Sequence, residues 1–375
     1  MSDRTTAVYL GDSTALTRTV FGHKLYVDTR DISLAPHLLL DGEWEMWITR
    51  VFRELVRPGM TVVDIGANVG WYTLLAAHDA GPGGRVVAFE ANPRLAQLVR
   101  RSVDVNGFSA TTVVEATAVA DRSGEVTLHV LAEHHGSSSI EKDFLAFHDS
   151  HETLTVPATT LDAYVAAHGL QIDLLKIDAE GAEPLIVRGA RETIAATPGI
   201  QILLEYAPAN RGAAETLAEM GFVAQAVSVD SQLVPVAVDR LDEVPSLDMV
   251  LFTRAAPPAV TLLAFADELL GRPDMLRAFR EALGDMRHAT LVIYAPGIES
   301  DVLGERLGPA IEDAGLTGCA AALEAVAMPP DAEAEARLAE AVDAVLTDRP
   351  LTAPFRGLPA VGPDGLAGLT SPPRA

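Results

Sequence analysis

Seven consecutive residues constrain this chain more than any others. Asp64-Ile-Gly-Ala-Asn-Val-Gly70 follows the apolar run Met60–Val63 and leads into Trp71–His78, whose pattern suits a helix. A strand that ends in an acid, breaks at spaced glycines and continues as a helix is how α/β proteins hold the polar parts of nucleotide-like ligands. The spacing is D-x-G-x-N-x-G, not the G-x-G-x-x-G of a dinucleotide site. On this reading Gly66 and Gly70 let a ligand approach the backbone and Asn68 offers a side-chain amide. Asp64 places a carboxylate where a pyrophosphate would be repelled and a cationic ligand favoured.

A second acid stands at the matching place. Arg85–Phe89 reads as a short strand ending at Glu90, 24 residues after Gly66. An acid at roughly that offset, about 20 residues, accepts ribose hydroxyls in α/β nucleotide sites. A ligand with a ribose and a cationic end fits both acids, and S-adenosylmethionine, with its sulfonium and ammonium, has that polarity.

Strand-like and helix-like segments alternate from here to residue 253. Strands are expected at 61–65, 85–89, 111–115, 125–131, 153–157, 172–177, 200–205, 222–228 and 248–253, and helices at 70–79, 93–105, 161–168, 182–196 and 210–220. That alternation predicts an α/β fold with a mostly parallel sheet and helices on both faces. Ahead of it, residues 1–56 read as a cap. It has strand fragments at Thr19–Phe21, Lys24–Val27 and His37–Leu40, and a helix over 43–56. Ala255-Ala256-Pro257-Pro258 marks a linker, which bounds a central domain at 57–255. The extension at 259–350 has helices at 273–283, 302–314 and 331–341 but strands only at 290–294 and 343–346. These are too few for a sheet of its own, so it is expected to pack on the first domain or form a homo-oligomer contact. The Gly, Pro and Ser content of 353–375 predicts disorder.

Composition narrows the function. Hydrophobic residues are 49% of the chain, enough for a full core, and the formal net charge is −24. So acidic a chain makes a poor partner for nucleic acid or an anionic membrane. One cysteine, Cys319, excludes a disulfide scaffold and a cysteine-rich metal site. The first residues lack a signal-peptide core, and no apolar run reaches the roughly 18 residues of a membrane span, so a cytoplasmic location is expected.

Residues 173–183 read Asp-Leu-Leu-Lys-Ile-Asp-Ala-Glu-Gly-Ala-Glu. Asp178 ends one expected strand and Glu205 ends the next, so four strands end in an acid: Asp64, Glu90, Asp178 and Glu205. Ligands of open α/β sheets sit outside the carboxyl ends of the strands, which brings these acids to one crevice. Asp178 reads as functional and Lys176 as a structural bridge. Glu180 and Glu183 fit either a site or a helix N-terminus, where negative charge is favoured.

The runs VVDIGANVGWYTLLAA, VVAFEANPRLAQLVRRSVDVNG, TTLDAY and DLLKIDAEGAEPLIVRGA resemble the FkbM-type S-adenosylmethionine-dependent methyltransferases over about residues 42–254. The resemblance implies the seven-stranded class I methyltransferase fold and O-methylation of a hydroxyl on a sugar or secondary metabolite. It implies that Asp64, Gly66, Asn68 and Gly70 hold the methionine end and Glu90 the ribose. Ala91 stands where the family usually has Pro, and with Asn92 and Ala118 it belongs to the implied cofactor set. Glu45, in Gly42-Glu-Trp-Glu45, matches an acid at a helix entry just before the core.

For the chemistry, Asp178 or Glu180 is a candidate general base. Alternatively, Asp178 and Glu205 would hold Mg²⁺, with no third ligand evident. His134 and His135, in a loop that could close over the acceptor, are further candidates for the base. The chain lacks G-x-S-x-G and H-E-x-x-H, which leaves hydrolase readings without support. A nicotinamide-dependent oxidoreductase and a non-catalytic scaffold are the competing classes. The glycine spacing disfavours the first and the strand-tip acids the second.

Overall fold

The computed structural model describes residues 7–131, 138–141, 151–254, 260–286, 289–298, 300–327 and 331–370. The chain divides into two compact units, Met1–Ala255 and Ala256–Ala375.

The first unit opens with an antiparallel three-stranded sheet, β1 (Val8–Gly11), β2 (Thr14–Arg18) and β3 (Lys24–Asp28). Helices α1 (Ala35–Leu40) and α2 (Met46–Leu55) follow. His37–Leu40, expected as a strand, is therefore helical: Pro36 sits in the first turn and Ala35 and Leu38 are buried on one side. Helix α2 starts later than the expected residue 43, because Glu45 adopts a left-handed conformation (φ 41°, ψ 53°) and stands outside it.

The elements that build the site are β4 (Thr61–Ile65), α3 (Trp71–Ala80), β5 (Arg85–Phe89), α4 (Pro93–Val105) and β6 (Thr112–Glu115), all close to their expected bounds. Helix α4 is capped by Asn92, whose side chain accepts a hydrogen bond from the Arg94 N–H, with Pro93 in the first turn. Strands β7 (Ala118–Val119), β8 (Gly124–Leu131) and β9 (His151–Thr159) leave the main sheet and pair in the order β7-β9-β8. The second half contains α5 (Leu161–His168), β10 (Leu174–Ile177), α6 (Glu183–Gly189), α7 (Arg191–Ala196), β11 (Gln201–Glu205), α8 (Arg211–Glu219), β12 (Phe222–Val227), β13 (Leu233–Val236) and β14 (Met249–Arg254). The single helix expected over 182–196 is two. The chain bends at Gly189, where a Cβ would lie 2.1 Å from the carbonyl oxygen of Ala120, just after β7, so only glycine fits there.

The main sheet has the order β13-β12-β14-β11-β10-β4-β5-β6. Strands β6, β5, β4, β10 and β11 are parallel, and β14 runs antiparallel between β11 and β12. The edge strand β13, where Pro235 and two half-exposed valines blur the alternation, was not expected. Strands buried on both faces need no polar alternation: Val62, Val63, Asp64 and Ile65 are all covered. One core cluster, on α2, α3 and α4, fills one side of the sheet, and a second, on α5 to α8, fills the other. From β4 the chain runs outward to β5 and β6, then returns to β10 and β11 on the other flank. The topological switch point therefore lies between β4 and β10.

The second unit has more strands than its sequence suggested. Besides the expected β16 (Ala289–Tyr294) and β18 (Ala344–Leu346), it contains β15 (Val260–Phe265), β17 (Ala322–Val326) and β19 (Ala360–Val361). They form a parallel sheet in the order β17-β16-β15-β18-β19. Helices α9 (Ala266–Gly271), α10 (Pro273–Leu283), α11 (Ser300–Asp313) and α12 (Ala332–Glu340) connect them. The unit has buried clusters of its own, so the expectation of too few strands is corrected. The disorder expected for 353–375 is corrected as far as Thr370, because Phe355 and Leu366 are anchored in these cores at 4% and 0% exposure. Residues 371–375 lie outside the described residues.

Candidate active site

Strand register decides which acids share the crevice. Ile65 is level with Phe89 on one side and Ile177 on the other, and Ile177 is level with Leu204. The residues one step beyond, Gly66, Glu90, Asp178 and Glu205, therefore stand in a row at the carboxyl edge. Asp64 is two residues short of that row, level with Ala88 and Lys176. It is fully buried, accepts a 2.6 Å hydrogen bond from Thr73 Oγ1 and lies 3.8 Å from Lys176 Nζ. Lys176 reaches past it to Asp178, with Nζ 2.9 Å from Oδ2, and lies 4.7 Å from the centre of the Tyr72 ring. Burial alone would lower the lysine's pKa, but Asp178 and Asp64 hold it above its usual value. Burial pushes Asp64 up, and Lys176 opposes that shift. The expected bridging role of Lys176 is thus seen in the geometry, and Asp64 lies beneath the site floor, supporting it.

Above this floor opens a cavity of about 360 Å³, within the usual size of small-molecule sites, about 300–1,000 Å³. Gly66, Asn68, Glu90, Ala91, Ala118, Glu45, Asp178, Glu180 and Glu205 all line it. Gly70 and Asn92 do not. Gly70 (φ +90°) starts α3, and a Cβ there would lie 3.0 Å from a Val99 methyl, so it serves the packing of α3 on α4. Gly66 (φ +79°) has a second constraint besides its turn: a Cβ would lie 1.7 Å from the Asp178 carbonyl oxygen. Its missing side chain lets the β4 and β10 loops meet.

Glu90 is held at both oxygens. The Asn68 N–H donates to Oε2 at 2.7 Å and the Asn92 N–H to Oε1 at 2.8 Å. Asn68 reaches this position in a left-handed conformation (φ 51°), so its backbone is the contributing group. Burial raises the Glu90 pKa to about 7 against those two donors. Glu90 lines the cavity, and each of its oxygens has capacity to accept one more hydrogen bond, which suits a pair of vicinal hydroxyls.

The other end of the row is crowded with carboxyls. One oxygen each from Asp178, Glu180 and Glu205 lie within 4.8 Å of one another. Glu205 is pushed up to about 11 by burial and by Asp178, Glu180 and Glu183, and its Oε2 is buried without a hydrogen-bond partner. Glu45, expected with the cofactor set, belongs to this end, since its carboxyl is raised to about 7 by burial and then by Asp178. Glu183 does not line the cavity. It is fully buried, accepts from the Ala179 N–H at 2.7 Å and from Asn210 Nδ2 at 2.9 Å, and pins the β10 loop to the β11 loop. His134 and His135 lie outside the described residues.

Sequence reasoning missed Asp248, Thr117 and Trp44 as lining residues. Asp248 precedes β14, and an antiparallel strand begins at the edge where its parallel neighbours end. Its backbone carbonyl accepts from the Tyr206 N–H at 2.9 Å, which fixes it beside Glu205. That signal was available in principle once the last strand was taken as antiparallel.

Residues 64–226 match the family model described as the methyltransferase FkbM domain. Short stretches resemble two protein-L-isoaspartate O-methyltransferases, from Aeropyrum pernix (38% identical over 58 residues, 16% of this chain and 22% of that protein) and Methanococcoides burtonii (36% over 59 residues, 16% and 29%). The chain thus spans less than a third of either relative. Among solved structures, a SAM-dependent O-methyltransferase from Thermotoga maritima is 15% identical, with 64% of this chain and 77% of that one covered and a TM-score of 0.32. A precorrin-6y C5,15-methyltransferase from Geobacter metallireducens is 13% identical, with 56% and 88% covered and a TM-score of 0.34. Five parallel strands around a switch point, flanked by an antiparallel β14 and then β12, make the seven-stranded class I methyltransferase sheet, here with β13 added at its edge. From Asp64 to Ala226, somewhat less than half of its length, this chain is similar to the methyltransferase FkbM domain.

Proposed function

We propose that the protein transfers a methyl group from S-adenosylmethionine to a hydroxyl of a small molecule, a sugar or secondary metabolite. The observation that carries this reading is Glu90: a buried carboxylate, oriented by two backbone N–H groups, facing the cavity beside the Gly66 turn. These residues fit the cofactor. Glu90 would accept from the ribose hydroxyls, while Gly66, Asn68, Ala91 and Ala118 would shape the wall around it. Bound there, the cofactor supplies an electrophilic methyl carbon on its sulfonium. The chain's own part would be to orient the hydroxyl toward that carbon and to take its proton on a carboxylate.

Asp178 is our candidate for that carboxylate. It lines the cavity one strand from Gly66, and Lys176 fixes its position from below. Glu45 and Glu205 orient the acceptor beside it. The Asp178, Glu180 and Glu205 trio also has ligand spacing for a cation such as Mg²⁺, but Lys176 already lies on Asp178, which favours a metal-free route.

Thermal unfolding with S-adenosylhomocysteine and with NAD tests the reading. A rise in Tm with the first and none with the second is expected. Stabilisation by NAD alone would favour a nicotinamide oxidoreductase. No other activity is favoured by the geometry. The described residues contain no helix long and apolar enough to cross a membrane.

A further inference from the structure

One side chain ties the antiparallel β1–β3 sheet to the Glu90 end of the cavity. Arg94, in the first turn of α4, donates from Nε to Asp28 Oδ2 at 2.6 Å. From Nη2 it donates to the Asp12 and Ser13 carbonyl oxygens at 2.6 and 3.2 Å. Asp12 and Ser13 make the turn between β1 and β2, and both are left-handed (φ 46° and 50°). Asp28 ends β3, fully buried, and also accepts from Arg30 at both oxygens. In the other direction, the Arg94 N–H donates to Asn92 Oδ1 at 3.0 Å and the Asn92 N–H to Glu90 Oε1 at 2.8 Å.

The loop after Asp28 forms a wall of the cavity. The Asp31 N–H donates to the Asp28 carbonyl at 3.3 Å, and Asp31 Oδ1 accepts from the Ser33 and Leu34 N–H groups at 2.9 and 2.8 Å. Ser33 and Leu34, held this way, line the cavity that Glu90 also lines. Leu34, Ala35 and Leu38 share a buried cluster with Leu95 and Leu98 of α4. Arg94 itself does not line the cavity. Its place runs against local preference, since a helix N-terminus favours negative charge. What offsets that is tertiary: charge-assisted bonds to a buried carboxylate are the strong ones, and a buried acid that loses a cation is costly.

From this placement, and resting on the methyltransferase reading above, we infer that Arg94 is a positioning residue that links docking of the β1–β3 sheet to cofactor binding. It acts through Glu90. By way of Asn92 it steadies that carboxylate, and by way of Asp28 it holds the Ser33–Leu34 wall that keeps water from it; Glu90 is 7% exposed. The linkage is reciprocal. A cofactor that binds better with the wall in place stabilises the docked sheet by the same factor.

The test is a double-mutant cycle on the full chain, read by calorimetry of S-adenosylhomocysteine in the wild type, Arg94→Gln, Glu90→Ala and the double variant. Arg94→Gln should weaken binding about fivefold to tenfold, while the same change in the Glu90→Ala background should cost less than about twofold. A residue that only props up the fold would cost the same in both backgrounds. Hydrogen exchange reads the linkage from the other side: S-adenosylhomocysteine should slow exchange of the β1–β3 amides in the wild type and much less in Arg94→Gln. If circular dichroism shows Arg94→Gln unfolded, Arg94→Lys takes its place in the same cycle, since it keeps a charge for Asp28 and lacks the fork for the two carbonyls. Losses that add in full, an unchanged affinity in the Arg94 variant, or equal protection of the sheet in both proteins overturns this inference alone, with the wild type binding normally. Failure of the wild type to bind S-adenosylhomocysteine removes the methyltransferase reading and this inference with it.

Discussion

Lys176→Met separates the charge at the base of the site from its packing. The Lys176 side chain is 1% exposed and that of Asp64 0%, and methionine keeps an unbranched stem of similar length. The substitution leaves Asp64 buried with Thr73 as its hydrogen-bond donor but without a cation. Removing one partner of a buried pair costs about 3–5 kcal/mol. Loss of the contact with the Tyr72 ring adds about 0.5–2 kcal/mol. Asp178 also loses its partner, but at 27% side-chain exposure it keeps water and adds little.

The deficit has a definite pH dependence. The Asp64 pKa is already raised by burial, and removing Lys176 raises it further. A carboxyl raised on folding contributes stability below its unfolded pKa and loses it as pH rises through its folded pKa. The variant should therefore fall furthest behind wild type near pH 8 and recover toward pH 4–5. Urea unfolding across that range measures it, and Lys176→Met combined with Asp64→Asn should recover about 2 kcal/mol or more of the loss. A loss under about 1 kcal/mol that is flat in pH would show that the two groups do not form a buried pair.

Three further outcomes are expected. Ribose hydroxyls donate to ionised Glu90, whose pKa is about 7 in the empty site, so S-adenosylhomocysteine affinity should fall by up to about tenfold from pH 8 to pH 6; a pH-independent dissociation constant would refute the ribose contact. Asp178→Asn should lower methyl transfer by about 100-fold or more with the fold intact by circular dichroism. Activity lost in EDTA and restored by Mg²⁺ would assign the trio to a metal instead. Gly66→Ala puts a methyl 1.7 Å from the Asp178 carbonyl at a left-handed φ, so a loss of about 2–5 kcal/mol in chemical denaturation is expected, and wild-type stability would mean that the loops do not meet there.

The parts of this fold legible in the sequence are those where one physical signal sufficed. Buried parallel strands read as apolar runs with an acid just beyond, which located Glu90, Asp178 and Glu205. Caps and stops such as Asn92-Pro93 and Asn106-Gly107 bounded α4. Asp64 carries the same local signal as Glu90, and only cross-strand register shows it two residues below the row. Glu183 reads as an ordinary helix-start acid, because its partner Asn210 lies 27 residues away. Glu45 was placed with the cofactor, since nothing local reveals that its left-handed backbone sets it near Asp178. In the second unit, β17 is largely exposed and β19 is two residues long, so pairing with neighbours, not periodicity, makes them strands; β15, an apolar run as long as β16, was legible in the sequence.

The central claim is that Glu90 and the Gly66 turn form one end of an S-adenosylmethionine site. Calorimetric titration of S-adenosylhomocysteine into the wild type and Glu90→Ala at pH 8 tests it most directly. The wild type should bind one equivalent, and the variant should bind at least about tenfold more weakly through loss of hydrogen bonds to a charged acceptor, each worth about 1.5–3 kcal/mol. Equal affinity in the two proteins, or no binding to the wild type, would contradict it.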